Sequence, residues 1–270
     1  MTPAPSMVGL TRHPAGGPVA EVVLSRPEAM NAICTDMARQ LTATMLTLAE
    51  DASVRAVVLS SGSTRAFSVG ADLKERASMD EADLLDHRET SRAAYASVLH
   101  LPVPAVAAVS GYALGGGFEL ALSCDLIVAS EEAVFALPEV GVGLIPGGGG
   151  TQLLTRRVGW SRAAGMVFTA RRVGLEEAAQ IGVVDEVAPA GGERDRALEI
   201  AWTISGNSPQ GVRHAKAAMR KGADLDLGQA LNIEDDYWRR TVGSADRAEG
   251  IAAFNQNRRP SWHPGDRPSV

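Results

Sequence analysis

Two apolar, β-branched runs, "AEVVL" at 20–24 and "RAVVLS" at 55–60, flank a stretch from Thr35 to Glu50 whose apolar positions recur at helical spacing. The runs predict buried strands and the stretch between them predicts a helix. A polar-faced helix is expected over Asp80 to His100, then a strand in "PAVAAVSG", a helix running through Ser123, and strands in "LIVAS" and "AVFAL". Strands alternating with helices in this way imply an α/β architecture. After about Pro189 the pattern changes. Three helical periods, near Arg194–Ser205, Pro209–Lys221 and Leu227–Thr241, follow one another with no strand between them. Ser208 before Pro209 is N-cap chemistry with proline at the first helical position. The chain therefore divides into an α/β core over 1–193 and a helical C-terminal region over 194–270. The proline-rich tail past Trp262 is expected to be loosely ordered.

Composition narrows the function classes. The 270 residues are 45% hydrophobic, enough for a sizeable core, and the net charge of −6 argues against a polyanion-binding protein. No stretch approaches ~18 uninterrupted apolar residues, and the first residues lack the apolar run of a signal peptide. Cys34 and Cys124 fall in stretches that read as buried helix, without metal-ligand spacing, so a reducing, cytoplasmic setting is expected. The five histidines form no i,i+3 or i,i+4 pair, which leaves a metal site without support. No lysine follows the glycine runs and no G-x-S-x-G occurs, which disfavours a phosphate loop and a serine hydrolase.

The chemistry concentrates in "GYALGGGFELALSCD" at 111–125, where three glycines precede a helix carrying Glu119. Glycine costs about 1 kcal/mol relative to alanine in a helix. A turn through Gly115–Gly117 bares the N–H groups of the helix start, whose dipole favours negative charge. Close helix–strand packing is the alternative reading. The turn "SVGADLKER" at 68–76 can present the Ala71 N–H to the same place, or be a plain left-handed glycine turn with Asp72 starting a helix. Glu119 and Glu139 both lie among apolar neighbours, where burial raises a carboxyl pKa, and proximity would separate the two values. Each glutamate could instead cap backbone N–H groups or form a salt bridge.

With "LSRPEAMNAI", "FSVGADLKE", "PVPAVAAVSGYALGGGFELALSCDLIVAS", "PEVGVGLIPGGGGTQLLTRRVG" and "DRAEGIAAF", in that order, the chain resembles the enoyl-CoA hydratase/isomerase, or crotonase, superfamily. The resemblance implies a spiral of ββα units and a helical region that forms trimers, commonly paired into hexamers. It makes the N–H groups of Ala71 and Gly116 an oxyanion hole for a coenzyme A thioester. Glu119 and Glu139 become the catalytic acids and bases, and Gly147 the backbone that helps to hold water. Glu28, Met30, Asp72, Leu73 and Lys74 become coenzyme A-lining residues, and Trp238 an aromatic near the adenine. No cofactor is implied beyond the coenzyme A of the acyl-CoA substrate.

The implied activity is syn hydration of a trans-2-enoyl-CoA to a 3-hydroxyacyl-CoA, in fatty acid or branched-chain acid catabolism. Keeping both glutamates favours hydration over isomerisation, and the pattern is also similar to methylglutaconyl-CoA hydratases. Some of these have been described as RNA-binding, which would make Arg156, Arg157, Arg162, Arg171 and Arg172 a nucleic-acid patch. The acidic total favours a solvated face or a subunit contact for those arginines. Two departures stand out. Ala136 and Leu137 replace a glycine and a polar residue of relatives, and Asn257 stands where relatives carry a lysine, leaving Arg258 or Arg259 to substitute.

Overall fold

Two sheets organise residues 6–262, the part of the chain that the computed structural model describes. The strands are β1 (Val8–His13), β2 (Val19–Leu24), β3 (Ala56–Ser61), β4 (Ala66–Ser68), β5 (Ala105–Val109), β6 (Tyr112–Leu114), β7 (Leu126–Ser130), β8 (Val134–Ala136), β9 (Val173–Gly174) and β10 (Glu186–Ala188). The larger sheet has the order β1-β2-β3-β5-β7-β10 and the smaller the order β4-β6-β8-β9. Only β1–β2 and β8–β9 pair antiparallel; every other neighbouring pair is parallel.

The strands come in consecutive pairs, β3–β4, β5–β6 and β7–β8. The first member of each joins the larger sheet and the second the smaller, before the chain turns into a helix. Each ββα turn therefore advances both sheets by one strand, which is the spiral that the sequence resemblance implies.

The larger sheet is covered on both faces, so its central strands are mostly apolar, as strands buried on both faces tend to be. Side chains alternate between the faces. Val57, Leu59, Ala105, Ala107 and Val109 enter the main core with α1 (Thr35–Glu50), whereas Ala56, Val58, Val106, Ala108 and Val128 meet Ala197 and Ala201 on the other side. The remaining helices are α2 (Leu73–Arg76), α3 (Glu81–Leu99), α4 (Gly116–Ser123), α5 (Gly150–Val158), α6 (Trp160–Thr169), α7 (Leu175–Ile181), α8 (Glu193–Ser205), α9 (Pro209–Gly222), α10 (Leu227–Val242) and α11 (Ala245–Asn255). Asp80 caps α3 in a capping box, and Ser208 caps α9 by accepting the Gly211 N–H at 2.9 Å.

The C-terminal helices divide by what they pack against. Helix α8 lies on the larger sheet and is clamped to it by Arg194, which makes two bonds, 2.6 and 2.7 Å, to the buried Glu21 of β2. Helices α9, α10 and α11 pack on one another, and Lys216 of α9 reaches Asp125 at 2.6 Å. The hydrophobic pattern does not predict β6 and β9 of the smaller sheet, nor β1, β10, α5, α6, α7 and α11. Cys34 and Cys124 are buried and free at helix ends rather than inside helices. The tail past Trp262 lies outside the described residues.

Candidate active site

Two turns meet where the smaller sheet feeds its helices. After β4, Gly70 adopts φ +86°, and Ile33 forms a parallel bridge to Ala71. The bridge bonds run from Ile33 N–H to the Gly70 carbonyl, 2.7 Å, and from Asp72 N–H to the Ile33 carbonyl, 3.1 Å. Both fall on the neighbours of Ala71, leaving its own N–H without an acceptor among the described residues. After β6, Gly115 turns the chain at φ +51° and α4 begins at once, so Gly116 lies inside the helix and not in the turn that the sequence suggests. The Gly116 N–H also has no acceptor among the described residues. The turns are in contact: a Cβ on Gly70 would stand 2.7 Å from the Leu114 carbonyl oxygen and 2.8 Å from the Gly116 nitrogen. Only glycine satisfies both the φ and the space.

Glu119, one turn into α4, is 3% exposed. Its Oε1 accepts the N–H groups of Gly148 at 2.7 Å and Gly150 at 2.8 Å, at the start of α5. Burial raises its pKa, and these bonds at a helix N-terminus pull the other way, helped by the Gly147 N–H and the charge of Arg88. Both hydrogen bonds fall on one oxygen, Oε1. Glu139 opens a 3₁₀ turn, Glu139–Val142, facing the same cleft. Its Oε2 is buried without a partner. Burial pushes its pKa up to about 7, its own backbone N–H opposing and the Glu119 charge adding to the rise.

The cleft between α3 and the 142–152 segment has a volume of about 1050 Å³ and is lined by Ala71, Gly116, Glu119, Glu139 and Gly147 together. Leu73, 61% exposed, stands at its edge. Glu28, Met30, Asp72, Lys74 and Trp238 are not among the lining residues. Glu28 is exposed and lies 3.7 Å from Arg26, and Met30 is half-buried. The Asp72 carboxylate is already engaged: it caps α2 through the Lys74 and Glu75 N–H groups and pairs with Arg26 at 2.6 Å. It shapes the turn that presents Ala71. Trp238 stands exposed on α10, which packs on α9 and α11.

Three lining residues escape sequence reading: Tyr95, Arg88 and Arg76. The first two lie on α3, whose apolar pattern is weak and gives no sign of which polar residues face inward. The "GGGG" run at 147–150 carried a signal that its composition alone does not decode. A Cβ would stand 2.9 Å from Arg88 at Gly147, 2.7 Å from the Tyr95 ring at Gly148, and 2.9 Å from Glu119 Oε1 at Gly150. The run is bare because three site residues press on it.

The arginine patch is largely spent within the chain. Arg156 pairs with Asp224, Arg157 with Asp185 and Arg171 with Glu177, while Arg162 donates to the Ile181 carbonyl and Arg172 lies over the Tyr112 ring. Arg258 makes two bonds to Glu249, 2.6 and 2.9 Å, which leaves Arg259 as the free substitute near Asn257. Among the described residues no cluster of three His, Cys, Asp or Glu side chains could hold a metal, and no helix is long and apolar enough to cross a membrane.

Comparison with known proteins gives the family. The sequence model of the family described as Enoyl-CoA hydratase/isomerase matches residues 15–265. The chain is 38% identical over 248 residues to the human mitochondrial protein named enoyl-CoA hydratase domain-containing protein 2, covering 90% of this chain and 85% of that one. It is 36% identical over 243 residues to the mouse mitochondrial methylglutaconyl-CoA hydratase, covering 88% and 77%. The crystal structure of an enoyl-CoA hydratase from Bacillus anthracis superimposes with a TM-score of 0.93 at 35% identity, over 96% of this chain and 100% of that one.

Proposed function

Because the chain belongs to the enoyl-CoA hydratase/isomerase family, we propose that its cleft adds water across the 2,3 double bond of a trans-2-enoyl-CoA to give the 3-hydroxyacyl-CoA. The observation that carries this reading is the pairing of two carboxyls, both shifted toward the protonated form, with two unengaged backbone N–H groups in one cleft. The Ala71 and Gly116 N–H groups meet the charge that collects on the thioester oxygen, a role worth ~10²–10³ in rate per donor. Glu119, its Oε1 fixed by the N–H groups of Gly148 and Gly150, takes a proton from water as the water oxygen adds to the β-carbon. Glu139 donates its proton to the α-carbon. The Gly147 backbone borders the space between the glutamates and helps to hold that water.

Leu73 borders the thioester, and Glu28, Met30 and Lys74 flank the path of the coenzyme A moiety. Trp238, exposed on α10 and absent from the lining of this chain's own cleft, reaches the adenine from a second copy. Exposed apolar side chains on α9–α11, among them Met219, Leu227, Leu231 and Phe254, support assembly through that region as a trimer or a pair of trimers.

The test is turnover of crotonyl-CoA by the purified chain, followed as loss of the enoyl-thioester absorbance. Wild-type protein hydrates it, and Glu119→Gln and Glu139→Gln each lower kcat by about 10² or more with the fold intact. Conversion of a 3-enoyl- to a 2-enoyl-CoA without hydration, at full rate in Glu119→Gln, would make the protein an isomerase.

A further inference from the structure

A second cavity lies where the end of α3 and the segment 100–102 meet α9 and α10. Its volume is about 460 Å³, and Leu99 alone lines both it and the cleft. The chain carries a net charge of −6, yet Arg213, Lys216, Arg220, Lys221 and Arg240 line this one space and no Asp or Glu does. Asp125, outside the lining, is shared by Lys216 at 2.6 Å and Arg220 at 2.9 Å, so one carboxylate answers two cations. Arg213 donates to the Val54 carbonyl at 2.9 Å. Lys221 and Arg240 form no ion pair with a described residue; they lie over the Tyr237 ring, 5.3 and 4.9 Å from its centroid. His214 of α9 also lines the cavity; it is 5% exposed, with its ring 5.6 Å from that of Tyr237. Both of its ring nitrogens are buried without a hydrogen-bond partner among the described residues.

Helix ends account for part of this arrangement. Cations in the last turn of a helix answer its dipole, and Arg220, Lys221 and Arg240 stand in the last turns of α9 and α10. They leave the imidazole unexplained. Buried polar groups are nearly always hydrogen-bonded, so a ring with both nitrogens idle marks a place where a partner belongs. Burial and the Arg240 charge hold the His214 pKa below its ordinary value, so the neutral ring has one nitrogen to donate and one to accept. A phosphate group suits this set better than a carboxylate. It brings close to two negative charges and three acceptor oxygens to donors arriving from two helices, where a carboxylate brings one charge and two oxygens. The space also exceeds a bare ion. Its volume falls in the range of about 300–1,000 Å³ usual for small-molecule sites, and Leu101, Pro102 and Ala217 give an apolar wall for the rest of a ligand.

We propose that this cavity is a second ligand site, separate from the cleft, for a small molecule carrying a phosphate or pyrophosphate group, held by Arg220, Lys221 and Arg240 beside the imidazole of His214. It goes beyond the hydratase reading and does not depend on it. Tyr237 is the plate that keeps Lys221, Arg240 and His214 together while the site is empty.

The test titrates inorganic phosphate, pyrophosphate and acetate into the full chain by calorimetry at constant ionic strength. Phosphate and pyrophosphate should bind saturably, and acetate about tenfold or more weakly. Arg240→Gln and Lys221→Gln, both at exposed positions, should each weaken pyrophosphate binding about 10- to 100-fold and leave turnover of crotonyl-CoA unchanged. His214→Phe keeps a ring packed on Tyr237 and should weaken binding with no loss of thermal stability, since neither nitrogen has a partner to lose. Absence of saturable binding, equal affinity for acetate, or pyrophosphate binding that none of the three substitutions alters overturns the proposal. So does competition. If saturating butyryl-CoA abolishes pyrophosphate binding, the cations serve the coenzyme A phosphates of a neighbouring copy and the cavity is no separate site.

Discussion

Replacing Glu139 by glutamine should raise the stability of the folded protein near pH 8 while removing its activity. Glutamine has the same shape as the protonated carboxyl but cannot ionise. In the folded chain the Glu139 pKa rises from 4.5 to about 7, because burial disfavours the charge and Oε2 finds no partner. The folded state therefore holds this proton more tightly than the unfolded chain does. Stability associated with the group is present below pH 4.5 and is lost progressively as pH rises to about 7. At about 1.4 kcal/mol per tenfold change, the full interval corresponds to ~3 kcal/mol. The carboxyl is only partly buried and solvent screens its charge, which reduces the expected difference to about 1–2 kcal/mol. For a chain of this size that is a rise in Tm of roughly 2–8 °C. Thermal unfolding of wild-type and Glu139→Gln protein, at one protein concentration from pH 5 to pH 8.5, reads it directly. The two should differ least at pH 5, diverge up to about pH 7 and then run parallel. A difference independent of pH, or a variant less stable at pH 8, would refute the reasoning that Glu139 is an unpaired, desolvated acid.

Other outcomes follow from the same geometry. Hydration needs one proton shared between Glu119 and Glu139, so kcat/KM should fall above about pH 7, where the pair loses it. Dehydration of the 3-hydroxyacyl-CoA needs the same proton count and should show the same profile; a rate flat to pH 9 would contradict this. Gly150→Ala puts a methyl 2.9 Å from Glu119 Oε1 and 3.0 Å from Leu137, and should lower kcat at least tenfold with ~1–2 kcal/mol of stability, measured by turnover and thermal unfolding. Gly70→Ala, at φ +86° and against the Leu114 carbonyl, should cost more than Gly150→Ala in both assays.

Much of this fold is legible along the chain because its central strands are buried on both faces and carry long apolar runs, as β5 does throughout and β3 over Ala56–Leu59. The smaller sheet is not. Its strands are only two or three residues long, too short to display a period, and pairing such as Tyr112 with Val134 is decided by distant segments. The two glutamates could be read because a carboxylate amid apolar neighbours is conspicuous. The family resemblance makes Asp72 a ligand-lining residue, yet its sequence neighbours cannot reveal that Arg26, 46 positions away, already holds it. Arg76, Arg88 and Tyr95 sit on helices with polar and apolar positions mixed, and only the glycine run facing Arg88 and Tyr95 tells which way those two side chains turn.

The glycine floor at 147–150 also bears on how such a site can change. A floor without side chains offers nothing for substitution to adjust, and adding even a methyl group at Gly147, Gly148 or Gly150 disturbs the residues above it. Variation in what the cleft accepts must then be written on the opposite wall, where Leu84, Arg88, Arg92, Tyr95 and Leu99 succeed one another along a single face of α3. The reaction and the choice of acyl group are thereby inherited on separate segments of the chain. Exchanging that one row of side chains is the shortest route by which a descendant, or a designer, could give this scaffold a new substrate while leaving its chemistry in place.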